Sequence, residues 1–361
     1  MTTVRELESE LEAIEDDAHD DDIVSLGLVN DIRIDEDDDT ARISLAFNTP
    51  YAPTEMALGR RIREVVESCG LEPDLRAEAG ERQGFDEEIL PNVRNVIAVA
   101  SGKGGVGKTT VAANLAAGFE KRGARVGVLD ADVHGPNVPR LLPIENEPGV
   151  TPNGEIVPPP SDGVRVMSMG LLTENDDDPA ILRGPMVNNV MRHFLDEVEW
   201  GRLDYLIVDL PPGTGDASLD LLQTLPVTGV VIVTTPQQMA VDDARKGLRL
   251  FEEHETPILG VVENMSTFRC PNCEDDHEVL GRDGADVLRE QYGVPLLRRL
   301  PIHPDFGDGD RSVPVVKDEE SPVSESMDDL AGDVLDRVSA INRRTVAEYD
   351  ETDPVPTEPA D

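Results

Sequence analysis

The sequence predicts an α/β protein: a doubly wound, mostly parallel sheet, preceded by a small α+β domain. Three observations carry this reading. Five apolar runs, Val93–Ala100, Arg125–Leu129, Tyr205–Val208, Val227–Thr234 and Ile258–Val262, lack strict polar alternation, as expected of parallel strands covered on both faces. Helix-period patterns lie between the runs, which is the βαβ rhythm of a doubly wound sheet. Before Asn92 the texture is different, with short β-like runs and amphipathic helices in an acidic background.

In chain order, a helical start at Val4–Ile14 meets an acid loop, Glu15–Asp22. Two β-like runs follow, Asp31–Ile34 and Ala41–Phe47, separated by Asp35–Asp39. A helix pattern then spans Thr54–Cys69, with apolar residues near helical spacing. The polar stretch Ala77–Glu88 reads as a connection. The expected division is a small domain over residues 1–85, a linker over 86–91 and a large domain over 92–345. Glu145–Asp178, rich in Pro, Gly and acid, reads as an irregular insertion, and the acidic residues 346–361 as a disordered tail.

Composition narrows the function classes. The 361 residues hold 74 Asp+Glu against 32 Lys+Arg, for a net charge of −42. Such a chain repels nucleic acid and anionic lipid, so the expected partners include no nucleic acid and no membrane. The acid is spread along the whole chain, and arginine (27) far outnumbers lysine (5). This is the composition of a cytosolic protein from a salt-accumulating halophile, where salt screens self-repulsion. No run of about 18 apolar residues is present for a spanning helix. Met1–Glu12 has no apolar core of a secretory signal. Three cysteines, Cys69, Cys270 and Cys273, cannot build a disulfide framework and fit a reducing cytoplasm.

The strongest motif is Gly102-Lys103-Gly104-Gly105-Val106-Gly107-Lys108-Thr109, between an apolar strand and the helix pattern Thr110–Phe119. In a P-loop the glycines let backbone N–H groups curl around phosphate oxygens at a helix N-terminus. Lys108 is placed to reach the β- and γ-phosphates, and the Thr109 hydroxyl, with Thr110 beside it, to ligate Mg2+. Gly102, Gly104 and Gly107 also spell the dinucleotide fingerprint, with Asp130 ending the next strand. Two features favour a nucleoside triphosphate. Lys108-Thr109 follows at once, and a further apolar strand ends in Asp209, as a carboxylate holding the Mg2+ water shell requires.

Asp130 and Asp132 close the second strand of the large domain. Of two carboxylates near a γ-phosphate, one can help hold Mg2+ and the other can orient the attacking water. A strand-end cap and a turn start are the competing structural roles. Asp209–Asp216 (DLPPGTGD) reads as a switch segment, stiffened by Pro211 and Pro212 and freed by Gly213 and Gly215. Asp216 either couples motion across a dimer or caps the following helix, Ala217–Leu222. Asn264 follows the Ile258–Val262 strand; its amide can donate to and accept from an adenine edge, or form a turn. Cys270 and Cys273 can share a metal face but are half of a four-thiolate site. Two chains related by a two-fold axis would complete it. An iron–sulfur cluster, zinc and a redox pair are the candidate occupants. His277 reads either as a ligand or as an ordinary loop histidine.

Several blocks together resemble one family. Lys103 before the second glycine makes the deviant Walker motif of the ParA/MinD/nitrogenase-iron-protein class. Ser101–Thr110 (SGKGGVGKTT), Asp130–Pro139 (DADVHGPNVP), Asp209–Asp216, Thr234–Gln237 (TTPQ) and Glu263–Cys273 (ENMSTFRCPNC) are similar to the Mrp/ApbC iron–sulfur carrier ATPases. The resemblance implies a P-loop NTPase fold and ATP hydrolysis. It also implies a homodimer with a [4Fe–4S] cluster bridging Cys270 and Cys273 of both chains, and transfer to apo iron–sulfur proteins. In that class Lys103 reaches the partner's phosphates, Asp132 activates water with Asp130 in support, Asp209 holds Mg2+, and Asn264 reads adenine. Residues 21–76 resemble the SufT/PaaD family of iron–sulfur assembly domains through Asp22–Val29 and Thr49–Pro53. A cysteine of many relatives is Ala52 here, and Cys69 ends a helix elsewhere, so the domain reads as a docking module for assembly factors. The alternatives are a MinD/ParA-like positioning ATPase, a zinc-stabilised ATPase scaffold and, on the glycines and Asp130 alone, a dinucleotide oxidoreductase.

Overall fold

The computed structural model describes residues 2–19, 21–35, 38–77, 89–133, 135–172, 190, 191, 193–213, 215–270, 272, 273, 275–307 and 314–350, with backbone only at 216, 217 and 345–350. Most of the expected polar connection (78–88), with the first half of the expected linker (86–88), the end of the Pro/Gly/acid stretch (173–178), His134, Thr214, Pro271 and the tail from 351 lie outside the described residues. The chain forms two units, one of residues 1–81 with 335–361, the other of residues 82–334.

The small unit opens with helix α1 (Val4–Leu11), whose Thr3 and Glu6 form a reciprocal capping box. Strands β1 (Val29–Asp35) and β2 (Thr40–Leu45) pair antiparallel, and β3 (Glu72–Ala77) joins β2 in parallel after helix α2 (Pro53–Ser68). Leu7, Leu11, Ile43, Leu45, Leu58, Ile62 and Val66 meet in one apolar core. β3 occupies residues that sequence analysis left without an element, and it contains Ala77, the first residue of the expected connection.

The closing part of the last helix, Ser324–Asp350, also belongs to this unit from Leu335 on. Sequence analysis assigns the helix to the large domain up to residue 345 and a disordered tail from 346; residues 346–350 are helical. The helix brings buried polar groups. Arg343 Nε donates to Asp16 at 2.6 Å, and Arg343 Nη1 donates to Ser339. Ser339 in turn donates to Glu55 at 2.7 Å, and Thr54 donates to Asp336 through its N–H and its hydroxyl. Burial pushes the Glu55 carboxyl up to about 7, against the pull of the Ser339 hydroxyl and Arg343. Burial acts upward on Asp16 too, but the Ala18 N–H and Arg343 hold it below the usual carboxylate range.

In the large unit, β4 (Val93–Ala100) leads through helix α3 (Lys108–Lys121) to β5 (Val126–Asp130). The chain continues through β6 (Pro160–Ser161), β7 (Val164–Ser168), β8 (Leu203–Asp209) and helix α4 (Asp216–Thr224). Next come β9 (Gly229–Thr234), helix α5 (Gln238–Glu253) and β10 (Ile258–Glu263). A hairpin of β11 (Phe268–Arg269) and β12 (Asp276–His277), helix α6 (Gly284–Tyr292) and β13 (Leu296–Arg299) follow. Among the described residues the sheet has eight strands in the order β6-β7-β5-β8-β4-β9-β10-β13, parallel except for the β6–β7 pair. All residues of β5, β8 and β9 are buried, which is why their sequences show no alternation. The expected α/β doubly wound fold is the one found. One part of it differs: residues 164–168, inside the supposed irregular insertion, form a regular sheet strand beside β5.

Candidate functional site

Strand order places the site. β8 lies between β4 and β5, and its register sets Asp209 opposite Asp130 on β5 and Val99 on β4. The carboxyl ends of three strands therefore converge where β4 runs into the glycine-rich turn, the position at which open α/β sheets bind ligands. Lys108 and Thr109 begin α3 just past that turn.

Lys108 Nζ donates to Asp209 Oδ1 at 2.5 Å, and the Thr109 hydroxyl donates to Oδ2 at 2.8 Å. Lys108 and Asp209 are both buried. Burial pushes the Asp209 carboxyl above its ordinary value, against the pull of Lys108 and Thr109. Asp130 is fixed by the Val138 N–H at 3.1 Å, the Ser168 hydroxyl at 3.1 Å and the Asp132 N–H at 3.2 Å. Burial, reinforced by the charge of Asp209, raises Asp130 to about 7. Asp132 stands less buried, its Oδ1 accepting the Gly135 N–H at 3.2 Å. A hydroxyl and carboxylates at one strand end form the hard oxygen set that Mg2+ takes. Thr109 and Asp209 thus fit a magnesium ion, which would neutralise phosphate charge there.

The loop is fastened from two sides. The Gly213 N–H donates to the Ser101 carbonyl at 2.8 Å, tying the DLPPG segment to the turn. Asn264 Nδ2 donates to the Val106 carbonyl at 2.8 Å, while its Oδ1 accepts the Met265 N–H at 2.9 Å. Sequence analysis expects Asn264 to read adenine; the structure adds a brace on the loop that spacing alone does not reveal. Two glycines are required for steric reasons. A methyl group at Gly102 would overlap the backbone of Asp243 in α5, and one at Gly107, where φ is +86°, would overlap the Asn264 amide. Gly104 and Gly105 are exposed, Thr110 lies in the first turn of α3, and Lys103 is half-buried with its carbonyl accepting the Ser101 hydroxyl. Asp216 is the first residue of α4, after Gly215 at the cap; its side chain lies outside the described atoms.

Cys270 and Cys273 sit in the turn of the β11–β12 hairpin, Cys270 half-buried and Cys273 exposed. The Cys270 N–H donates to the Asp275 carbonyl at 2.9 Å. N–H groups of Asn272 and Cys273 at the sulfur hold the Cys270 thiol below its ordinary value, which favours the thiolate that binds metal. His277 Nε2 lies 3.3 Å from Cys273 Sγ. Sequence analysis leaves His277 between ligand and loop residue, and the structure brings it to the cysteines. Cys69 belongs to the small unit, at the end of α2.

Residues 92–335 match the family described as "ParA: NUBPL iron-transfer P-loop NTPase". The chain belongs to this family. Relatives of these P-loop NTPases include an "Iron-sulfur cluster carrier protein" of Synechocystis, 38% identical over 329 residues, or 88% of this chain and 92% of the relative. A relative with the same description from Deinococcus radiodurans is 39% identical over 339 residues, covering 92% and 94%. Among solved structures, a nucleotide-binding protein of Archaeoglobus fulgidus in complex with ADP is 35% identical. It covers 69% of this chain and 90% of that one, with a TM-score of 0.54. The expected family and fold are thereby established, and the dinucleotide reading is set aside. Among the described residues no helix is long and apolar enough to cross a membrane.

Proposed function

We propose that this P-loop NTPase is an ATP-dependent carrier that takes a [4Fe–4S] cluster as cargo and passes it to apo iron–sulfur proteins. The observation that carries the reading is one chain uniting a bonded Lys108–Asp209–Thr109 nucleotide site with a thiol pair in a hairpin turn, half-buried at Cys270 and exposed at Cys273. Relatives aligned over nearly the whole length bear the carrier description.

In this reading the triphosphate lies along Gly102–Gly107, and Lys108 exchanges Asp209 for phosphate oxygens. Asp209 and Thr109 hold the Mg2+ shell, Asp132 orients the attacking water, and Asp130 supports the metal side. Lys103 reaches the phosphates of the second protomer. Asn264 keeps one N–H and one lone pair for an adenine edge while it braces Val106. Cys270 and Cys273 of two protomers supply four thiolates to the cargo. The homodimer works in the cytoplasm at high salt, and the small unit docks assembly factors through contacts that do not use a thiol at Ala52.

Anaerobic cluster reconstitution in molar KCl tests the reading, with iron and acid-labile sulfide counted per dimer. About four of each are expected, lost in a Cys270→Ala/Cys273→Ala double variant. Wild-type protein that assembles no cluster would sink the carrier reading, leaving a zinc-stabilised scaffold if zinc is bound and a P-loop switch in search of a partner if no metal is.

A further inference from the structure

One buried acid of the large unit takes no part in the phosphate and metal chemistry. Glu263 ends β10 and is 1% exposed. Its carboxylate meets a donor on each side. Oε2 accepts the Ala285 N–H, in the first turn of α6, at 2.7 Å, and Oε1 accepts Arg299 Nε at 3.1 Å. Arg299 ends β13, pairs in register with Glu263 and donates on to Asp286 of α6. Two strand ends and a helix terminus are thus closed into one ring of bonds. A carboxylate suits its centre, because a glutamine there would set an N–H against one of the two donors.

The ring surrounds Asn264, the next residue. Pairing of β10 ends at Glu263, and past it the Asn264 N–H donates to the Thr234 carbonyl at 2.8 Å. Thr234 leads to Pro236, and α6 lies tight on that proline: a Cβ at Gly284 would meet Pro236 Cα at 2.8 Å. On the other side the Leu300 N–H donates to the Glu263 carbonyl, and the Leu300 carbonyl accepts the Ser266 N–H, both at 2.9 Å. Asn264 therefore stands between two segments that the ring fixes, with its amide on Val106 of the phosphate loop. A recognition group has to keep its geometry to about 0.5 Å, which requires locked neighbours.

We propose that Glu263 is a positioning residue for base recognition: by fixing α6 and the end of β13 around Asn264, it sets the preference for adenine over guanine. The proposal rests on the adenine reading of Asn264.

Calorimetric titration of the full chain in molar KCl with Mg2+·ADP, Mg2+·GDP and Mg2+·pyrophosphate separates base from phosphate. Wild-type protein is expected to prefer ADP to GDP. Glu263→Gln should weaken ADP by about tenfold, the worth of one or two hydrogen bonds, and leave GDP and pyrophosphate within about twofold. A role in stability alone would weaken all three together. In Glu263→Gln/Arg299→Gln amide faces amide, and most of the ADP preference should return. Should Glu263→Gln fail to fold, the double variant is read alone by the same ratio of ADP to GDP affinity. Equal losses for the three ligands in Glu263→Gln, or no preference in the double variant, overturn the proposal. Asn264→Ala tests the underlying reading. A preference lost there but kept in Glu263→Gln overturns the proposal and leaves the adenine reading standing; a preference kept in Asn264→Ala overturns both.

Discussion

Binding of Mg2+·ATP should release a proton, and the donor should be Asp130. Its carboxyl is buried beside Asp209 and titrates at about 7, so at pH 6 about 90% of molecules carry the proton and at pH 8 about 10%. A cation arriving at the end of β8 favours the ionised form of both carboxylates. About 0.9 proton should leave per site at pH 6 and about 0.1 at pH 8. Ionising Asp130 first costs about 1.4 kcal/mol for each pH unit below its pKa. Affinity for Mg2+·ATP should therefore fall roughly tenfold from pH 8 to pH 6. Titration calorimetry in buffers of low and high ionisation enthalpy reads the proton count directly, with Mg2+ in excess so that the nucleotide is already ionised. Asp130→Asn should flatten the difference between the two pH values, since the amide still accepts from Val138 and Ser168. A buffer-independent heat at pH 6, or an equal pH dependence in Asp130→Asn, would refute the reasoning.

Other consequences can be checked separately. Gly107→Ala should weaken nucleotide binding by about 1–3 kcal/mol, through the positive φ and the overlap with Asn264. Adding Asn264→Ala should restore part of that loss, and strictly additive effects in a double-mutant cycle would count against the contact. Arg343→Met leaves Asp16 buried without its partner, so the small unit should lose about 3–5 kcal/mol. Hydrogen exchange of the β2 amides reads it, and protection reduced by less than tenfold would contradict it. Glu55 is raised from 4.5 to about 7 in the folded chain, so the native state holds a proton that the unfolded state has released. Its contribution is full below pH 4.5 and is lost as pH rises through 7, by up to about 3 kcal/mol. Urea unfolding between pH 5 and 8 should show this slope, and Glu55→Gln should reduce it.

The buried strands were legible because burial on both faces leaves a plain mark. Val93–Ala100 coincides with β4, and the other four runs match β5, β8, β9 and β10 within two residues at each end. The nucleotide loop was legible because its chemistry is local, confined to consecutive residues. Features set by distant partners were not. Strand β7 is five residues long between Pro- and Gly-rich flanks, so composition hid it; only its pairing with β5 makes it a strand. The overlap of Gly102 with Asp243 depends on a helix some 140 residues away. His277 reaches Cys273 through hairpin register, which a four-residue spacing does not specify. The bond of Asn264 to Val106 spans 158 residues, and a turn-forming asparagine would have the same sequence.

The division of the last helix has a consequence for how the protein is made. Residues 1–77 leave the ribosome well before Ser339 and Arg343, which join their buried polar groups and follow about 260 residues later. At roughly 5–20 residues per second, the early segment waits about 13–50 s for the helix that completes it. Throughout that interval Asp16 lacks Arg343, and the large unit must be synthesised in between. This early segment is therefore among the later ones to finish folding, and its maturation reports that the ATPase behind it has been translated through the Ser324–Asp350 helix.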